Sequence, residues 1–430
     1  MNRIIFIILL LVNILSSNTL NEVDLKVLKD LNMEPSFLTN RTLQNTFNEY
    51  SSGYNISYYN NFIKKSSLNA QIVKSEIENE NLPEAVFFIP MIESHFVNQT
   101  RGKNSPAGLW QIIPQTATSL KLRNDEFIDE RLDLIKSTDA ASSYLKRYYG
   151  KLGKWYLALI AYNCGEGRLI EGVARASLDK YLELNPHMID SANIRNYKRT
   201  LEDYKRTKSG LKDLYEIYNK IGKQQSSYSF DYLIENNKEK SYLPETSVVY
   251  LNKIIAFSMI SNRNLFRSIN NKSKYKLEKV KANKGLQLIS IANAIGMNSD
   301  EFRSINKHIK KDVIPSDSKS YNIYIPSEKL DIYNQRMSGM KAVVVANVKD
   351  IKKEEKITKE NKVKENKQIK DKKIVDNKKD NNKPIIYIVK KGDSFESIAK
   401  KHKINVKKLK ADNKKKSNLI DVGDKIEIYR

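Results

Sequence analysis

Cysteine is nearly absent from this chain: Cys164 stands alone in 430 residues, so no disulfide can close within it. No cysteine follows the N-terminal apolar segment either, so a lipid anchor attached there is not expected. Histidine is also scarce, and His95, His187, His308 and His402 lack metal-ligand spacing. Neither a zinc site nor a histidine-paired cysteine nucleophile is therefore expected, and no cofactor is called for. The Gly165-Glu166-Gly167 stretch is a turn signal, too slight to cradle a phosphate. Missing too is an apolar run long enough to cross a bilayer, which needs roughly 20 residues. Ile4 to Leu15, broken by Asn13, is shorter; with Arg3 before it and Ser16-Ser17-Asn18-Thr19 after, it reads as a secretory signal over residues 1–17. An uncleaved membrane anchor is the alternative.

Acidic residues are outnumbered, 50 against 75 Lys and Arg, which leaves a net charge of +25. Residues 341–430 hold 28 basic and 14 acidic side chains, a surplus of 14 in that stretch. Clustered cations suit nucleic acid, anionic lipid or an acidic polymer. An export signal argues against nucleic acid and for the cell wall or a membrane surface.

The length calls for more than one core. A hydrophobic fraction of 40% against 29% charged residues indicates that part of the chain stays unpacked. Residues 18–75 read as short helices set against the next domain. Pro83 and Glu84 suit a helix first turn, and Pro90 is expected to kink that helix one turn before Glu93. Gly102, Asn104, Ser105 and Pro106 give loop chemistry, and helical patterns resume at Pro114, from Thr138 to Tyr149 and from Trp155 to Tyr162. Between 168 and 241 one amphipathic helix is expected around Tyr204, Leu211, Leu214, Tyr215 and Tyr218. Residues 340–383, rich in Lys, Glu, Asp and Asn, cannot bury enough surface to order themselves and read as a disordered charged linker.

Three ordered segments carry chemistry: Ile92-Glu93-Ser94-His95-Phe96, Ala107-Gly108-Leu109-Trp110-Gln111 and Ala161-Tyr162-Asn163-Cys164-Gly165-Glu166-Gly167-Arg168. A lone Glu after an apolar run is usually a solvated helix end; the three together resemble the Glu-Ser, Gly-Leu-x-Gln and Ala-Tyr-Asn motifs of lytic transglycosylases, nearest the membrane-bound lytic murein transglycosylase D branch. Leu243-Pro244-Glu245-Thr246 resembles the fourth motif, but Glu245-Thr246 is one position out of register, so Tyr250 carries the match. The last residues resemble a LysM domain: a strand at Ile386–Val389, a turn at Gly392-Asp393-Ser394, helices around Phe395 to Ala399 and Val406 to Asn413, and a closing strand after Val422-Gly423-Asp424. A weaker copy precedes the linker, with Asn283-Lys284-Gly285 in place of the Gly-Asp turn, and Phe302, Asn306 and Tyr324-Ile325-Pro326 at comparable positions.

The resemblance implies a mostly α, lysozyme-like catalytic domain over 76–265, followed by small α+β (βααβ) LysM modules at 274–330 and 384–430. It implies that Glu93 is catalytic and that Ser94, Trp110, Gln111, Tyr162, Asn163 and Tyr250 contact or orient substrate. Trp110 stands where methionine is common in other branches. In this family one glutamate protonates the leaving oxygen, then takes the proton from the C6 hydroxyl of N-acetylmuramic acid as that hydroxyl closes a 1,6-anhydro ring. Apolar neighbours Phe87, Phe88, Ile89, Met91, Ile92 and Phe96 would keep such a carboxyl protonated. The implied partners are peptidoglycan glycan strands in the periplasm or cell envelope, with LysM contacts to N-acetylglucosamine-containing chains and none to nucleic acid. Glu166, Asp125, Asp129 and Asp133 are the candidates for a second carboxylate if water were the nucleophile instead, and their charged surroundings favour solvated roles. A muramidase that uses water and a noncatalytic wall-binding scaffold are the competing readings.

Overall fold

The computed structural model describes residues 20, 22–99, 105–223, 229–235, 241–337, 385–389, 395–402, 404–413 and 424–428. The signal at 1–17, the linker at 340–383 and the Gly392-Asp393-Ser394 turn lie outside the described residues. The chain divides into two units, residues 1–344 and 345–430.

The first unit opens with helices α1 (Leu25–Asp30), α2 (Arg41–Tyr50), α3 (Gly53–Lys65) and α4 (Ser67–Asn79). Asn40 starts α2 by accepting the Thr42 and Leu43 amides on its side chain, and Leu43 and Phe47, one turn apart, are its buried face. A 3-10 turn at Glu84–Phe87 leads into α5 (Phe88–Ser94), and α6 (Pro114–Ser119) follows a loop. Helix α7 (Leu134–Leu152) is capped by Asp133 and ends at Gly153 in the left-handed region. It continues into α8 (Trp155–Cys164) and α9 (Glu166–Leu184).

Where one amphipathic helix is expected there are two, α10 (Ala192–Thr207) and α11 (Leu211–Ile217). Lys208 and Gly210, both at positive φ, break the run between Tyr204 and Leu211. After α12 (Phe230–Glu235) comes α13 (Glu245–Asn262), which is buried on all sides from Leu251 to Ile260 except at Lys253 and runs through the core.

That core is continuous from Val27 to Phe266, and α4 spans the expected boundary at 75/76. Residues 25–79 are thus part of the catalytic body and not a separate layer beside it. The reason is their apolar content: Leu28, Phe37, Phe47, Ile63 and Val73 are fully buried among the later helices.

Strand β1 (Leu277–Asn283), helices α14 (Leu288–Ala294) and α15 (Ser299–Ile305) and strand β2 (Ser320–Pro326) form a βααβ module, with β1 antiparallel to β2 and Val280 opposite Ile323. Helix α16 (Leu330–Met337) follows. This module is welded to the catalytic body. Ile128 belongs to its hydrophobic core, the Asp129 amide donates to the His308 carbonyl, and the Tyr324 hydroxyl donates to Asp133 at 2.7 Å.

In the second unit β3 (Ile385–Ile388) pairs antiparallel with β4 (Lys425–Ile428), and between them lie α17 (Phe395–His402) and α18 (Val406–Asp412). The two modules share one clamp. Asn306 donates to the Tyr324 carbonyl and accepts the Tyr324 amide, both at 2.8 Å, while Asn413 does the same to Glu427 at 2.7 Å. A side-chain amide that mimics a strand edge ties the end of the second helix to the closing strand in each.

Candidate active site

Glu93 lies in the last turn of α5. Pro90 is not placed to kink this helix: it is the third residue, where a missing amide hydrogen costs nothing, and a 3-10 turn precedes the helix. His95 and Phe96 both take left-handed backbone angles, φ 52° and 56°, and stop the helix just past Glu93. Asn69 on α4 holds that stop by donating to the Phe96 carbonyl at 2.8 Å. The Glu93 side chain is largely shielded, and this burial raises its pKa above the ordinary carboxyl value, with the Tyr250 hydroxyl acting in the opposite direction.

The segment Ala107–Ile112 folds back as a tight turn, with Ala107 and Ile112 exchanging backbone hydrogen bonds. Gly108, at φ 80°, presses on the Arg131 carbonyl, where a Cβ would overlap that oxygen. Beneath the turn the buried Arg131 pairs with Asp129 at 2.8 Å and donates to the Ser105 and Ile112 carbonyls. The sequence reading places Asp129 in solvent; this buried pair corrects it.

Two side chains grip consecutive carbonyls of the turn. The Ser94 hydroxyl lies 2.8 Å from the Leu109 oxygen and 3.0 Å from the Pro90 oxygen, and the Tyr162 hydroxyl donates to the Trp110 oxygen at 2.6 Å. Ser94 is buried, and its hydroxyl positions α5 against the turn. Trp110, expected at the substrate, lies in the core. Its ring is fully buried and its Nε1 donates to Thr138 on α7 at 3.0 Å, so it anchors the turn in the core. Gln111, at φ 48°, is partly exposed, and its amide donates to the Gly108 carbonyl at 2.7 Å.

Tyr162 and Tyr250 bring two phenols to the Glu93 carboxyl, and each has its pKa raised by burial first and by the Glu93 charge second. The Tyr250 hydroxyl has no partner in ordinary hydrogen-bond geometry, yet it lies near enough to Glu93 to lower the carboxyl pKa. Asn163 is exposed at the end of α8, where its oxygen accepts from Ser247 at 2.7 Å. Ser247 and Arg131 are supports that sequence reasoning missed. Arg131, in an Asp-Glu-Arg run, looks like surface until its burial is known.

A transglycosylase SLT domain matches residues 71–183, a LysM-like domain of lytic transglycosylase MltD matches 276–342, and a LysM domain matches 387–428. The membrane-bound lytic murein transglycosylase D of Escherichia coli strain K12 is 22% identical over 395 residues, covering 83% of this chain and 75% of that protein. The protein of the same name from strain O6:H1 matches to the same extent. The chain belongs to the lytic transglycosylase family.

In this lytic transglycosylase the other acidic candidates are committed elsewhere. Asp125 caps a turn and pairs with Arg123, Asp133 caps α7 and accepts from Tyr324, and Glu166 is held by Lys151, Tyr148 and Tyr215. Burial works to raise the Glu166 pKa, but Lys151 and Tyr215 outweigh it and leave it lowered. Cys164 is half-buried and its thiol pKa is pushed up by burial, which leaves it a packing residue. Cavities of about 300, 370 and 390 Å³, bounded by Phe88 and Phe266, by Ile72 and Tyr275 and by Glu130 and Tyr321, contain none of the Glu93 cluster, so chemistry and not cavity size locates the site. Among the described residues no helix is long and apolar enough to cross a membrane.

Proposed function

We propose that this lytic transglycosylase cleaves the β-1,4 bond between N-acetylmuramic acid and N-acetylglucosamine, leaving 1,6-anhydro ends, with Glu93 as the single acid and base. The observation that carries the reading is that burial and a tyrosine hydroxyl, and no neighbouring charge, set the protonation of Glu93. Protonated Glu93 gives its proton to the bridging oxygen as the bond to the muramic C1 breaks. The resulting carboxylate takes the proton of the C6 hydroxyl as that oxygen bonds to C1, with help from the neighbouring acetamido group. No water is consumed, and Glu93 ends protonated. Because the nucleophile belongs to the sugar, its effective concentration is high and no second carboxylate is needed. Gln111, Tyr162, Asn163 and Tyr250 would line and orient the site.

The LysM modules would hold N-acetylglucosamine-containing chains, and the enzyme would work exported, in the periplasm or envelope on the wall, with residues 1–17 as its signal. A muramidase is the alternative outcome of one experiment. Purified wall digested by the full chain should release 1,6-anhydromuramic ends; reducing ends in their place would reassign it as a hydrolase.

A further inference from the structure

Helix α3 carries aromatic residues at Tyr54, Tyr58 and Phe62, spaced by four, so they line one side of the helix. Tyr54 is 78% exposed and Tyr58 40% exposed, and their rings stack with centroids 6.3 Å apart and planes 20° apart. Tyr58 meets Phe62 edge-on at 4.7 Å, and Phe62 stacks on His95 at 4.6 Å. His95 is the residue that ends α5, two positions after Glu93. A strip of aromatic rings therefore leads from open solvent to the catalytic helix.

The helix under this strip is fixed. On its other side Tyr59 and Ile63 are buried, and Asn60 donates to the Leu265 carbonyl and accepts the Ser268 amide, both at 2.9 Å. Tyr54, the outer ring of the pair, is held mostly in water on a rigid support and contributes little to folding. The pair does present flat, electron-rich faces of the kind that the C–H faces of pyranose rings pack against, with hydroxyls at the rim for the sugar's own hydroxyls. A contiguous exposed aromatic surface marks a ligand site more often than single exposed rings do.

We propose that Tyr54 and Tyr58 form a sugar-stacking subsite that carries the glycan strand beyond Glu93 on the α3 side, past Phe62 and His95. The inference rests on the glycan-cleaving reading for its ligand. The strand lies across the ring faces, so its recognition depends on the rings and not on their hydroxyls.

The test compares the full-length parent, Tyr54→Ala/Tyr58→Ala and Tyr54→Phe/Tyr58→Phe. Tyr54 is largely exposed but Tyr58 packs edge-on against Phe62, so the alanine pair should unfold at a slightly lower temperature and the phenylalanine pair at the parent's, and all three are compared well below that transition. On soluble peptide-free glycan strands the alanine pair should raise KM about tenfold with little change in kcat, and the phenylalanine pair should restore KM. Equal KM values in parent and alanine pair would overturn the subsite, as would a loss confined to kcat. A second arm needs no turnover: in a Glu93→Gln background the alanine pair should hold the same strands about tenfold more weakly than Glu93→Gln alone. If the glycan-cleaving reading failed, the parent would release no product while this binding difference still decided the subsite.

Discussion

The Tyr162 hydroxyl donates to the Trp110 carbonyl at 2.6 Å, so the last turn of α8 holds the turn that presents Gln111. Replacing Tyr162 by Phe removes that donor and keeps the ring. We expect a stability loss of about 1 kcal/mol by urea unfolding. A larger proportional fall in kcat should accompany it, because Gln111 loses its fixed position. An unchanged kcat would show that the turn holds its shape without the tyrosine.

Glu93 should set a pH limit on activity. Its folded pKa is raised by burial, so the proton donor is lost as pH rises through that raised value, and kcat/KM should fall on the alkaline side of it. The same shift costs stability. The folded state holds this proton more tightly than the unfolded chain does, so stability declines as pH climbs from the ordinary value of 4.5 to the raised one. Glu93→Gln escapes that decline. It should abolish wall digestion yet show a higher Tm than the parent at neutral pH, with the gap closing in acid. Equal digestion by both proteins would remove Glu93 from the mechanism.

Trp110 distinguishes an anchor from a substrate contact. Trp110→Ala empties a fully buried site and should cost about 3–5 kcal/mol, read as a large drop in the urea midpoint. Trp110→Phe loses the bond to Thr138 and should be milder. A variant that kept the parent's stability and changed only KM would return Trp110 to the substrate.

The weld between the catalytic body and the first βααβ module should be measurable at Tyr324. Tyr324→Phe leaves Asp133 without a hydroxyl that donates to it in a buried place, a loss of about 1.5–3 kcal/mol. Hydrogen exchange should rise at the start of α7 and in β2 together. A change in β2 alone would mean that the contact is peripheral.

Much of the site is legible in the sequence because its chemistry is local. The apolar run before Glu93, the glycine that a tight turn at Gly108 requires and the helix end at Gly165 all mark themselves. The lysozyme-like class and both LysM-type modules come from the resemblance of such segments to known families. What escapes is long-range. Nothing near Trp110 says that Thr138 will meet its indole, and nothing near Asp129 and Arg131 says that chain from beyond residue 300 will cover them. The kink expected at Pro90 failed for a related reason, since a proline's effect depends on its place in the helix, and the helix began later than the apolar pattern did.

The segment that supports the Gly108 turn is completed from far along the chain. Asp133 meets the Tyr324 hydroxyl 191 residues downstream, and Asn98 accepts on its carbonyl from Lys307. Synthesis runs from the N-terminus, so all three motifs emerge from the ribosome well before their last buttress does. A growing chain is therefore expected to reach its cutting form only after Pro326 has been added. The arrangement delays a working enzyme until about three-quarters of the 430 residues have been joined.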